Sequence, residues 1–262
     1  MSQVSAAPQA PAPPTFSAAQ QLYLWLASVY VTSLIVANMI GVKLFRVPLG
    51  FEVPMPPPIP TMDAVTHTVG MLPFPVTFLL TDLLNEYYGV KAARRVVYLA
   101  FAMGGLTFLY LLIARALPTL EGIPGTASDE AFEMIFGSAS LMYVASLLAF
   151  LFGSLLDIAV FVMFKRMTGN KLVWLRTTGS TLISQLFDSF LVTVLFFRGA
   201  SLVTGNEPAP WGAVVEIALT GYVLKFVIAV LLTPAIYGGR WAIREWFGLT
   251  PLPAPSGPRG LV

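Results

Sequence analysis

The chain has 262 residues, of which 56% are hydrophobic and only 11% charged, with a mean hydropathy of +0.78 and a net charge of +2. Ordinary soluble domains carry about 25% charged residues, so this is an integral membrane protein. The absence of cysteine excludes disulfides, thiolate metal sites and thiol nucleophiles, and a single histidine leaves no cluster for a metal. No metal site, cofactor or catalytic residue is expected. The bases sit in short blocks between apolar segments, a pattern of orientation signals and not of a nucleic-acid surface.

Residues 1–20 are rich in Ala, Pro, Gln and Ser and carry no charge, which reads as a disordered tail and lacks the basic start of a signal peptide. Six stretches are long enough to span a bilayer as helices of about 20 residues: Gln21 to Leu44, Ala64 to Tyr87, Ala92 to Leu117, Ser138 to Phe164, Leu175 to Phe197 and Trp211 to Ile236. Residues 21–238 therefore form one all-α membrane domain of six transmembrane helices. The segment Pro48 to Pro60 is too rich in proline for a helix and reads as a loop. Residues 239–262 read as an interfacial helix, with Trp and Arg in GRWAIREWF (Gly239 to Phe247), and a tail.

Charge orients this bundle. Lys91, Arg94 and Arg95, then Lys165, Arg166, Lys171 and Arg176, then Arg240, Arg244 and Arg259 all fall on one side. The opposite loops hold fewer bases and the acids Glu121, Asp129, Glu130, Glu133 and Glu207. By the positive-inside rule both termini are cytoplasmic. Thr77 to Asp82 (TFLLTD) and Thr181 to Asp188 (TLISQLFD) share a loose pattern in oppositely directed helices, which suggests a 3+3 inverted repeat of the kind that places substrate between two halves.

Polar groups inside the spans carry the functional reading. At about 1.5 Å per residue, Asn38 and Glu216 lie toward the outer side, Asp82 and Asp157 toward the inner side, and Gln185, Asp188 and Lys225 near the middle. An intramembrane carboxylate costs a few kcal/mol, so Asp82 is a candidate site residue; Asp82 and Glu86 can also be read as snorkelling at a helix end. Thr181, Ser184, Gln185 and Asp188 recur at spacings of three and four and share one face. That face is either interhelical glue or, given Asp188, the wall of a cavity. Lys225 and Asp188 are expected at similar depth, where an ion pair would offset both charges. Glu216 and Lys225 are nine residues apart, half a turn around a straight helix, so a distortion is expected at Gly221. Pro73 and Pro75 predict either a discontinuous, ligand-facing segment or an ordinary kink. His67 reads as an interfacial, hydrogen-bonded residue near the outer end of the second span.

The runs FPVTFLLTDLLNEYYGVKAARRVV (Phe74 to Val97), WLRTTGSTLISQLFDSFL (Trp174 to Leu191) and EIALTGYVLKFVIAVLLTPAIYG (Glu216 to Gly238), with ANMIGVKLF in the first helix, resemble the queuosine precursor transporter family, earlier grouped as a vitamin uptake transporter family. The resemblance covers most of the chain; Ala37, where many members have Ser, and the Pro48 to Pro60 loop depart from it. It implies a multi-pass transporter of the bacterial inner membrane that imports 7-deazaguanine precursors (preQ0, preQ1 or queuine) for tRNA modification. Asn38, Asp82, Glu86, Arg95, Asp157, Asp188, Glu216 and Lys225 match its characteristic polar positions. Of these, Asn38, Asp188, Glu216 and Lys225, with Gln185, are the candidate substrate-binding residues. Asp82, Glu86 and Asp157 are the candidates for transport or coupling.

A deazaguanine is a flat base whose N–H edge a carboxylate or amide can pair. Phe187, Tyr222 and Phe226 are candidates to stack on it. The implied partners are a small-molecule base and the lipid bilayer, without nucleic acid, and a homodimer is plausible for so small a bundle. No GxxxxGK[ST] motif is present, so the chain does not itself hydrolyse ATP. The alternatives are the substrate-binding subunit of an energy-coupling-factor vitamin importer and an intramembrane enzyme, the latter disfavoured by the lack of a catalytic motif.

Overall fold

A computed structural model describes residues 16–54, 61–120, 126–137, 140–169, 171–199, 201, 205 and 207–253. Most of the expected N-terminal tail, residues 55–60 of the proline-rich loop, Glu121 and Arg259 lie outside the described residues. Helix α1 (Ala18–Ile40) starts three residues before its expected position because Ser17 and Gln20 close a capping box, each side chain bonding the other's backbone N–H. The other helices are α2 (Phe74–Tyr87), α3 (Gly89–Ala116), the short α4 (Asp129–Phe132), α5 (Ser140–Thr168), α6 (Val173–Phe197), α7 (Trp211–Leu231) and α8 (Thr233–Phe247).

Five helices, α1, α3, α5, α6 and α7, are long and apolar enough to cross a membrane. The second expected span, Ala64 to Tyr87, is not one helix. Its first part is strand β2 (Met62–Thr68), which pairs antiparallel with β1 (Leu44–Val53), and a 3₁₀ turn at Val69–Met71 leads into α2. The fold is therefore helical with one β-hairpin, a correction to the all-α expectation. Pro48 sits inside β1 opposite Ala64, just where the register shifts; a strand with only one neighbour tolerates a residue that cannot donate. Arg46 and Asp63 close an exposed ion pair across the hairpin at 2.8 Å.

The prolines explain why α2 is short. Pro73 caps it and Pro75 occupies the first turn, where a missing N–H costs nothing. They begin a helix and do not kink one. Fourteen residues reach about 21 Å, less than the roughly 30 Å hydrocarbon thickness, so α2 by itself is too short to span.

Packing divides the molecule. The apolar core is built from α1, α2, α3 and α5, with Tyr30, Leu84, Val96, Val97, Ala100, Ile158 and Phe161 almost fully buried. Helices α3 and α5 run antiparallel, tied by the Tyr143 hydroxyl donating to the Gly104 carbonyl at 3.0 Å and by Arg115 donating to Ser140. Helix α6 is the opposite case: every one of its buried residues is polar, including Arg176, Ser180, Thr181, Ser184, Gln185 and Asp188. In lipid the apolar face can turn outward, and a helix that turns its polar face inward lines a path.

Candidate functional site

The stripe on α6 meets the lysine of α7. Lys225 and Asp188 form a direct ion pair, both buried, as the depth estimate predicted. The Lys225 ammonium also stands 5.5 Å from the centre of the Phe74 ring, at the start of the half-helix α2. Two cavities meet at this pair. The larger, about 440 Å³, is lined by His67, Ser189, Phe196, Glu216, Gly221 and Lys225. The smaller lies behind Asp188, between Tyr30, Phe74, Phe150, Asp157 and Gln185, and its free space of about 20 Å³ admits a water but not a fused ring system.

Hydrogen bonds give the smaller cavity a directional wall. Thr181 and Ser184 donate to Asp157 Oδ1 at 3.4 and 3.3 Å, and the Tyr30 hydroxyl pairs with Ser154 at 3.3 Å. Gln185 Oε1 is buried and has no hydrogen-bond partner among the described residues. A buried acceptor left open costs about 1–3 kcal/mol, a cost that a donor brought by a ligand would remove. Gly153 makes the space possible: a Cβ there would stand 3.2 Å from Asp188 Cβ.

At the opposite end of the bundle, Glu86 is the centre of a cationic cluster. Its carboxylate receives Arg176 at 2.5 Å, Arg240 at 3.0 Å and Lys165 at 3.2 Å, from α6, α8 and α5 respectively. Glu86, Lys165 and Arg176 are buried. Asp82, one helical turn toward the cavities, is 2% exposed and its Oδ1 has no hydrogen-bond partner among the described residues.

The predicted residues thus separate into groups. Gln185, Asp188 and Lys225 converge on the central pair, Glu216 lines the larger cavity, and Asp157 backs the smaller one. Asn38 does not join them. Its amide donates to its own helix at the Leu34 carbonyl, 3.0 Å away, and it lines a separate small cavity with Arg115 and Tyr143, because its side of α1 faces α3 and α5. At Gly221 the helix is not interrupted, α7 being helical from Trp211 to Leu231. Glu216 and Lys225 instead mark the two edges of a broad arc of α7 that lines one cavity.

Gly221 has a different use. The Nε2 of His67 lies 3.6 Å from where its Cβ would stand. His67 itself is in β2 and not in a helix, its Nδ1 accepting the Thr68 N–H at 2.8 Å. Of the expected stacking residues, Phe187 and Phe226 are exposed, and Tyr222 packs edge-on against Phe226. Phe74, Phe78 and Phe150 line the smaller cavity in their place; the prolines on either side of Phe74 were the signal for one of them.

Comparison with known proteins identifies the family. Residues 68–239 match the family described as "Putative vitamin uptake transporter". A "Probable queuosine precursor transporter" of Bacillus subtilis (strain 168) is 33% identical over 178 residues, 67% of this chain and 72% of that protein. The "Queuosine precursor transporter" of Escherichia coli (strain K12) is 28% identical over 175 residues, 66% of this chain and 72% of that protein. A "Probable queuosine precursor transporter" of Haemophilus influenzae is 26% identical over 172 residues, 65% and 67% of the two chains. No solved structure matches the chain. With a family match across two thirds of its length, five apolar spans and a polar path between them, the chain belongs to the queuosine precursor transporter family and is a multi-pass transporter of the bacterial inner membrane.

Proposed function

We propose that this chain imports 7-deazaguanine precursors of queuosine, preQ0, preQ1 or queuine, for tRNA modification. The termini face the cytoplasm in this reading, the six expected spans form two inverted halves with the hairpin and α2 replacing the second, and α8 lies at the cytoplasmic interface. The 440 Å³ cavity is then the outer entrance, with Glu216 at its mouth. Binding belongs at Gln185, Asp188 and Lys225, and the smaller cavity widens to receive the ring.

One observation carries the substrate class: the buried, unpartnered Gln185 Oε1 shares a cavity with the Asp188 carboxylate. Two adjacent acceptors suit the amide N–H and amino group on one edge of a deazaguanine, and Lys225 supplies a donor for its carbonyl. A ligand without those N–H groups would leave buried acceptors open and be rejected. Phe74 and Phe150 offer faces for stacking.

The test is the queuosine content of tRNA in a bacterial host that neither makes nor imports the precursor, fed each precursor at low concentration. Rescue is expected with the wild-type gene and not with Asp188→Asn. Absence of rescue despite confirmed membrane expression would set the proposal aside in favour of another solute, a vitamin first. Uptake by the purified chain alone in liposomes distinguishes autonomous transport from the substrate-binding subunit of an energy-coupling-factor importer, which needs a separate ATPase.

A further inference from the structure

We infer that Asp82 and Asp157 form a proton site that couples uptake to a proton gradient, one proton passing between them across Thr181 in each cycle. The inference rests on the transport reading above and adds its driving force.

Charge pairing singles out these two acids. Glu86 and Asp188 each have a buried cation in contact. Asp82 and Asp157, 2% and 5% exposed, have no basic group within ion-pair distance among the described residues. Arg176 exerts a field on Asp82, but one of its nitrogens is held by Glu86. A buried carboxylate without a fixed cation must take a mobile one.

Their placement makes the pair a relay. Asp157 faces the smaller cavity beside Asp188, Gln185 and the Tyr30 hydroxyl. Asp82 faces a second small cavity, of about 10 Å³, toward the Glu86 end, lined also by Thr177, Thr178 and Thr181. Thr181 belongs to both, since it lines the Asp82 cavity and its hydroxyl donates to Asp157. Asp82 also faces Glu86 across one turn of α2. One acid thus faces the cavity of the central pair and the other a cavity nearer Glu86, and Thr181 bonds the first and lines the cavity of the second.

The cation that fits is a proton. A metal ion needs several oxygens converging on one point, whereas these carboxylates look into two separate cavities and the Thr181 hydroxyl donates to Asp157. In the cycle Asp157 takes a proton from the smaller cavity, beside the central pair, the proton passes to Asp82, and Asp82 releases it toward the Glu86 end. Both carboxylates end as they began.

The test has two arms. In proteoliposomes with the membrane potential clamped, an acid exterior one pH unit below the interior should drive roughly tenfold accumulation of preQ0 for one proton per base. Asp82→Asn, Asp157→Asn and Thr181→Val should abolish the dependence on the gradient. In the second arm, infrared spectra of the wild-type protein without any solute should show the carbonyl band of a buried, protonated carboxyl group, removed by Asp82→Asn or Asp157→Asn. A wild type that exchanges base but ignores the pH gradient, or follows a sodium gradient, overturns the coupling and leaves the substrate reading intact. If no base moves at all the substrate reading fails, and the infrared band alone decides the proton site: its absence refutes it.

Discussion

Lys225 and Asp188 are a buried pair whose partners can be removed singly or together, which separates charge balance from substrate contact. Removing one member of such a pair costs about 3–5 kcal/mol, because the survivor is left as an isolated charge, whereas replacing both by neutral groups is close to neutral. Lys225→Met should therefore lower the thermal midpoint of the detergent-solubilised protein far more than Lys225→Met combined with Asp188→Asn, while both lose uptake. If the double variant is no more stable than the single one, the pair does not act as a unit. This pair was legible in the sequence because helical spacing fixes depth and face once two spans are recognised. His67 and Phe74 were not. Their reach into the site depends on the path of a non-helical segment, and spacing along a helix says nothing about that path.

The second span shows the same limit at the level of elements. Averaged over Ala64 to Tyr87, a strand, a turn and a half-helix have the hydropathy of a single helix, so apolarity and length could not tell them apart. Pro73 and Pro75 did mark the break, and left open only whether it was a start or a kink. Gly70 holds the break in place. A Cβ there would stand 2.5 Å from the Ala37 carbonyl oxygen and 3.0 Å from Gly41 Cα, both backbone atoms of the α1 end that cannot rotate away. Gly70→Ala should push the turn off α1, destabilise by about 1–3 kcal/mol as overpacking does, and reduce uptake with it. Gly104→Ala is the comparison: its Cβ would meet only the tip of Leu147 at 2.7 Å, a side chain that can turn. Thermal midpoints that fall equally in the two variants would mean that the turn does not depend on that contact.

Across the whole molecule, one carboxylate ties together elements that are far apart in sequence. Glu86 on α2 holds Lys165 of α5, Arg176 of α6 and Arg240 of α8, and its backbone carbonyl accepts the N–H of Leu252 at 2.9 Å. Tyr87 adds a bond from its hydroxyl to the Arg240 carbonyl at 3.3 Å. The ends of α5, α6 and α8 on that side are thus fastened to α2, beyond the small cavity of Asp82. The sequence exposed Glu86 as an intramembrane acid, but the bases that pair with it looked like separate orientation signals, because nothing in one dimension shows that three loops converge. Glu86→Gln would leave Lys165 and Arg176 buried without their counter-charge, and the closed end should open. The absence of cysteine makes the opening measurable without background. In a Thr178→Cys protein, whose probe position lines the Asp82 cavity and is bonded to Thr233 at 2.8 Å, a membrane-impermeant maleimide should react slowly from the Glu86 side. Adding Glu86→Gln should speed that reaction by at least roughly tenfold, since each 1.4 kcal/mol lost from the closed state raises the open population by a decade. Arg240→Gln, which removes the most exposed of the three cations, should change it much less. An unchanged rate in Glu86→Gln would make the cluster a fastening for folding alone; an increase confined to that variant makes it the inner gate, released when the charge balance around Glu86 changes.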